Sequence, residues 1–178
     1  FIMSISKKGK IKDIGEIVVG FSLLFLGLSF MKNSVPDLQS TPEALSFIQS
    51  WSGHGLWSIL LFVAVGTVLT LVLQSSSATV ALTLIVLNMG WIKFDMAAAM
   101  VLGENIGTTI TANIAAAVGN VNAKRAALAH TVFNVFGVIW AVALFPYFLK
   151  LISLIINGIG LGGSEQTPLY SISMLHTV

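Results

Sequence analysis

The sequence has no cysteine and very little charge. Its 178 residues include nine Lys or Arg and seven Asp or Glu, 9% of the chain. Without cysteine there are no disulfides and no thiolate metal sites, although a compartment is not fixed by that. A soluble domain carries roughly 25% charged residues, so this chain cannot clothe a water-facing surface of its own length. A formal net charge of +2 is too small to imply nucleic-acid binding. The basic start is not followed by a small-residue cleavage site, so no cleavable signal peptide is read there. What remains is apolar: 56% hydrophobic residues and a mean hydropathy of +0.92, gathered in long runs. Lipid is the solvent that suits such runs.

The first apolar segment spans 14–31, edged by Glu16, with Gly15, Gly20 and Gly27 on a small face suited to close packing. A polar loop with Pro36, Asp37, Pro42 and Glu43 is expected over 32–55. The second segment, Leu56 to Leu73, runs into Gln74-Ser75-Ser76-Ser77. The third, 78–92, is shorter than the about twenty residues that a crossing takes. The fourth, 96–118, is expected to be broken at Gly103-Glu104-Asn105-Ile106-Gly107-Thr108-Thr109. A basic loop with Lys124 and Arg125 leads to the fifth, 126–145, which Pro146 kinks or ends. Residues 147–156 suit the membrane interface, 158–163 are glycine-rich, and a further helix begins near Tyr170. The expected organisation is a cytoplasmic basic segment over 1–13, a transmembrane core over 14–156, and a loop with the start of another helix over 157–178. Ala129-His130-Thr131-Val132 is faintly echoed at Leu175-His176-Thr177-Val178, each expected to open a helix. The chain opens on Phe1 and stops within an apolar run, so it is read as a piece of a longer protein.

Basic residues set the expected orientation. Lys7, Lys8, Lys10 and Lys12, and later Lys124 and Arg125, favour the cytoplasm. Loop 32–55 then lies outside. Segments two and three bring the chain back to that side whether both cross or together dip in as a re-entrant hairpin.

Four polar residues in a row, Gln74 to Ser77, are unfavourable inside lipid unless they face water, protein or a ligand. At the tip of a re-entrant hairpin they would stand where one half-helix ends and another begins. Free N–H groups, a positive dipole end and serine hydroxyls there suit a tetrahedral oxyanion. A short polar loop at the membrane surface is the alternative. Around Gly103 and Gly107 the plainer reading is helix packing through Gly-x-x-x-Gly. The sharper one is a helix break whose carbonyls join Asn105, Thr108, Thr109 and Thr111 in holding a hard monovalent cation. Segments two to four hold no Lys or Arg except Lys93 at an edge, so a bound oxyanion would need cations as its counter-charge.

Glu104 is an acid at membrane depth and a functional candidate for that reason; pairing with another part of the protein is the alternative. His130 and Asn134, one turn apart, fit a structural pair, with a proton or substrate role as the sharper reading. Trp51, Trp57, Trp91 and Trp140 fit interfacial belts or packing. A serine hydrolase built on Ser76 and His130 lacks a nucleophile elbow, so no catalytic residue and no enzymatic activity is assigned. A non-transporting membrane scaffold packed through small residues is a third class.

Gln74-Ser75-Ser76-Ser77-Ala78-Thr79, followed about thirty residues later by Gly103-x-Asn105-Ile106-Gly107-Thr108-Thr109, resembles the type II sodium/phosphate cotransporter family in its bacterial branch. Asn122-Ala123-Lys124-Arg125-Ala126-Ala127 and His130-Thr131-Val132-Phe133-Asn134 are similar to it too. The resemblance implies an all-α polytopic membrane bundle with a re-entrant hairpin and a broken helix, forming the second of two inverted repeats. It implies sodium-coupled symport of inorganic phosphate by alternating access, in the cell (inner) membrane. Sulfate or another small oxyanion is the alternative substrate. By resemblance, Gln74, Ser75, Ser76, Ser77, Asn105 and Thr108 would bind phosphate, and Gln74, Ser77, Asn105, Thr108 and Thr109 sodium. Glu104, Thr111, His130 and Asn134 are accessory candidates. Glu104 departs from the small or neutral residue usual in that motif. No organic cofactor is implied; the expected partners are phosphate, sodium, the lipid bilayer and the first repeat of the same protein.

Overall fold

The structure, a computed structural model, describes residues 9–34, 43, 46, 48, 50–163 and 167–177. The described residues are helical apart from short turns, with no strand among them. The expected all-α membrane class therefore holds. The chain separates into two compact units, Phe1–Asp37 and Leu38–Val178.

The first unit holds α1, Gly9–Ser34. It exceeds the predicted 14–31 at both ends, and Lys12 Nζ lies 3.7 Å from Glu16 Oε1 one turn later. Lys7, Lys8 and the loop prolines Pro36 and Pro42 lie outside the described residues, as does Asp37. The expected loop over 32–55 is corrected where it can be seen: 32–34 continue α1, and Glu43, Ser46, Ile48 and Ser50 are helical.

The second unit is organised around one helix. It contains α2 (Leu56–Leu73), α3 (Ser76–Asn88), α4 (Phe94–Ala116), α5 (Val121–Ala143), α6 (Phe145–Gly158) and α7 (Thr167–Thr177). α2, α3, α5 and α7 all pack on α4. Ala97, Ala98, Ala99, Val101 and Glu104 are essentially inaccessible, and every residue from Met96 to Glu104 is buried, so α4 is enclosed on every side over that stretch. Alanines make that possible by keeping the neighbours close. The outer helices do the opposite: Trp57, Val68 and Val72 of α2 and Phe133 and Phe136 of α5 stand exposed. So much bare apolar surface suits lipid or other membrane helices, not water.

By length and composition Lys12–Ser34, Leu56–Leu73 and Val121–Ala143 can each cross a membrane. α4 has crossing length, but its polar run keeps it out of that set. α3 has 13 residues, about 20 Å, too short for a hydrocarbon core of about 30 Å. Pro146 stands in the first turn of α6, and α5 stops at Ala143, just short of the predicted 145. The expected basic loop is corrected: α5 begins at Val121 behind the Asn120 cap, so Lys124 and Arg125 lie in its first turns. The echo near the end is corrected. His130 lies within α5 and His176 at the close of α7, so neither opens a helix; Val178 is outside the described residues.

The predicted break in the fourth segment is also corrected. α4 is one uninterrupted helix of 23 residues through Gly103 and Gly107. The glycines permit close approach instead. A Cβ on Gly103 would collide with the carbonyl oxygen of Val63, and one on Gly66 with that of Met100. A Cβ on Gly107 would sit 2.6 Å from Cβ of Thr70. Gly66, Gly103 and Gly107 thus let the α2 and α4 backbones touch, the packing role of small residues in membrane helices.

Candidate functional site: a serine hairpin tip and a threonine seam

α2 and α3 form a helical hairpin. α2 ends on Gln74, whose backbone is left-handed at φ 53° and whose N–H bonds the Thr70 carbonyl at 2.8 Å. A single left-handed residue reverses the chain without glycine or proline, a conformation uncommon outside glycine and asparagine. Ser75 then caps α3: its Oγ accepts from the Ala78 N–H at 3.2 Å. The N–H groups of Ser76 and Ser77, the first residues of α3, have no acceptor within the helix. Gln74 and Ser77 are exposed, and Ser75 and Ser76 half-buried. The four polar residues therefore form a tip at the end of two apolar arms.

The tip is tied to α4 by threonines. Thr79 Oγ1 donates to the Ser75 carbonyl at 2.9 Å, and the Thr70 and Thr79 hydroxyls lie 3.2 Å apart across the hairpin. Thr70 also bonds the Gly66 carbonyl at 2.9 Å, and its side chain rests on Gly107. The Thr67 hydroxyl is shared between the carbonyls of Val63 at 2.8 Å and Gly103 at 2.9 Å. Thr83 Oγ1 donates to Glu104 Oε1 at 2.9 Å. Thr70, Thr79, Thr83, Glu104 and Thr109 are all buried. A polar seam thus runs between the three helices, and the tip stands one turn beyond its contact with Gly107.

The predicted residues divide along this seam. Thr108, Thr109 and Thr111 turn their hydroxyls to the carbonyls of Glu104, Ile106 and Thr108 in their own helix, at 2.7–2.9 Å. Asn105 is exposed. His130 is exposed on α5, and Asn134 Nδ2 donates to its carbonyl at 2.9 Å, a bond within one helical turn. The structure joins the two motifs through Thr70, Thr79, Thr83 and Glu104, not through Gln74, Ser77 or Asn105. Thr67, Thr70, Thr79 and Thr83 were not among the predicted site residues. Their signal was available: 67 and 70, like 79 and 83, are one turn apart and so face one way. A further contact also went unpredicted. Asn113 Nδ2 donates to Thr131 Oγ1 and to the Thr109 carbonyl at 2.7 Å, linking α4 to α5.

The Na+/Pi-cotransporter family model matches residues 48–162, which include the whole hairpin, the seam and α5. The chain belongs to the Na+/Pi-cotransporter family. It is 36% identical over 131 residues to the uncharacterized protein YqeW of Bacillus subtilis, covering 72% of this chain and 40% of that one. It is 27% identical over 131 residues to the putative inorganic phosphate export protein YjbB of Escherichia coli, covering 74% of this chain and 23% of that one. Human sodium-dependent phosphate transport protein 2C is 40% identical over 83 residues, 44% of this chain and 14% of that one. The match therefore spans less than half the length of each of these relatives. No solved structure matches it. The family is one of transporters, and the apolar helices make this a membrane protein.

Proposed function

We propose that the protein transports inorganic phosphate across the cell (inner) membrane, coupled to sodium, and that the α2–α3 tip supplies this chain's part of the phosphate site. The observation that carries the reading is the tip itself. Two apolar arms end in a left-handed Gln74 and a capped helix start, and α3 is too short to cross. On this reading the tip stands inside the membrane region, offering the positive end of α3 with the hydroxyls of Ser76 and Ser77, while the Ser75 Oγ caps the helix. That is the chemistry of an oxyanion site at a half-helix N-terminus.

Sodium enters by charge balance. α2 and α3 carry no charged residue, so a bound phosphate must bring cations with it. Gln74, Ser77, Asn105, Thr108 and Thr109 remain the proposed sodium ligands, with Ser75, Ser76 and again Gln74, Ser77, Asn105 and Thr108 for phosphate. The relatives' names support phosphate as substrate and, for the human protein, dependence on sodium. The E. coli name speaks of export; a coupled carrier runs in the direction that its ion gradient sets, so either direction fits one site. The first inverted repeat of the same protein would complete the site.

The test is flux in proteoliposomes holding the intact protein. An inward sodium gradient drives labelled phosphate in, and a potassium gradient does not. Equal uptake under both gradients overturns sodium coupling, and sulfate displacing phosphate at equal concentration overturns the substrate.

A further inference from the structure

Glu104 is unlike every other acid in the described chain. It is the one ionisable side chain among the buried residues, with none of its surface accessible. Thr83 satisfies Oε1 at 2.9 Å, while Oε2 is buried with no hydrogen-bond partner. Nor does a counter-charge face it. Of the helices packed on α4, α2 and α3 contain no titratable residue. α5 brings Lys124, Arg125 and His130, and α7 brings Tyr170 and His176, all of them exposed. α4 itself adds only Asp95, exposed at its first turn. Among the described residues no basic side chain forms an ion pair with Glu104.

A carboxylate so enclosed and so unmatched requires a positive partner. A divalent ion takes several acidic ligands, and the described residues hold no cluster of three His, Asp or Glu. One carboxylate with a neighbouring hydroxyl fits a single positive charge. We propose that Glu104 and Thr83 form a monovalent-cation site within the helical body, separate from the serine tip, with Oε2 as its open ligand. The occupant is a sodium ion or a proton. The site deepens the transport reading by adding a cation ligand on the same seam, but its occupancy is measurable without phosphate.

The intact protein is purified as wild type and Glu104→Gln, which keeps the side chain's shape. Bound radioactive sodium is counted per protein, and infrared difference spectra are recorded on pH steps. With sodium as occupant, Glu104→Gln binds about one sodium fewer. With a proton as occupant, the sodium count is unchanged and the variant loses a pH-responsive carboxylic C=O band that the wild type shows. An unchanged count together with an unchanged band overturns the proposal. Should Glu104→Gln aggregate, Thr83→Val carries the test: sodium affinity falls roughly tenfold, or the band shifts, as expected for loss of a hydrogen bond to a charged group. No change in either again overturns it. Because phosphate is absent throughout, a protein that fails to move phosphate can still pass, and the reverse.

Discussion

Replacing Gly103 by alanine tests whether the glycines of α4 are packing residues or a hinge. Ideal geometry puts the new Cβ onto the Val63 carbonyl, 2.8 Å from its carbon and 2.9 Å from the Thr67 nitrogen. Those atoms belong to helix backbone and cannot rotate away, so α2 and α4 must part. Overpacking of this kind costs about 1–3 kcal/mol. Parting the helices also stretches the Thr67 hydroxyl bond to the Gly103 carbonyl, now 2.9 Å, a contact worth about 0.6 kcal/mol in a membrane protein. Gly137 of α5 is the control, since a Cβ there meets nothing within 4 Å. Purified variants are unfolded by titrating denaturing detergent into mild micelles while helicity or a tryptophan signal is followed. Gly103→Ala should unfold at clearly lower detergent fraction than wild type, and Gly137→Ala at or above it. Equal stability of the two variants would refute the close-packed seam and restore a hinge at Gly103.

Ser75→Ala removes the cap on α3, lowering stability by about 1 kcal/mol and weakening phosphate binding; hydrogen exchange at the start of α3 reads the first effect, and unchanged protection there refutes the cap. Asn113→Leu deletes the α4–α5 link through Thr131 and should cost about 0.6–1.7 kcal/mol in the same detergent titration, with phosphate binding retained. Loss of binding with unchanged stability would instead put Asn113 in the site.

Much of the helical frame was legible in the sequence, because long apolar runs bounded by polar or proline residues leave lipid-facing helices few alternatives. Leu56–Leu73 and the stop at Pro146 came out as predicted for that reason. Gln74 to Ser77 could be read as a hairpin tip because the run after it was too short to cross. The fourth segment misled. Glycines and polar residues in an apolar run have the same signature whether they break a helix or sit against another backbone, and only the partner decides. Here the partner is α2, which offers Gly66, Thr67 and Thr70 at matching heights. The buried threonines were missed because hydroxyls in apolar helices bond their own preceding carbonyls, so composition gives no hint of which ones also reach a neighbour. Glu104 could be singled out in the sequence as unusual, but its unmatched oxygen became visible only with Thr83 and the uncharged faces of α2 and α3 around it.

Equilibrium binding of labelled phosphate to the intact protein, with sodium or with potassium, reads the serine tip most directly. Replacing sodium by potassium should weaken binding at least about tenfold, roughly 1.4 kcal/mol, and Ser76→Ala should remove the sodium-dependent part while the protein stays folded. Binding of equal strength in both salts, untouched by Ser76→Ala, would contradict a sodium-coupled phosphate site at the tip.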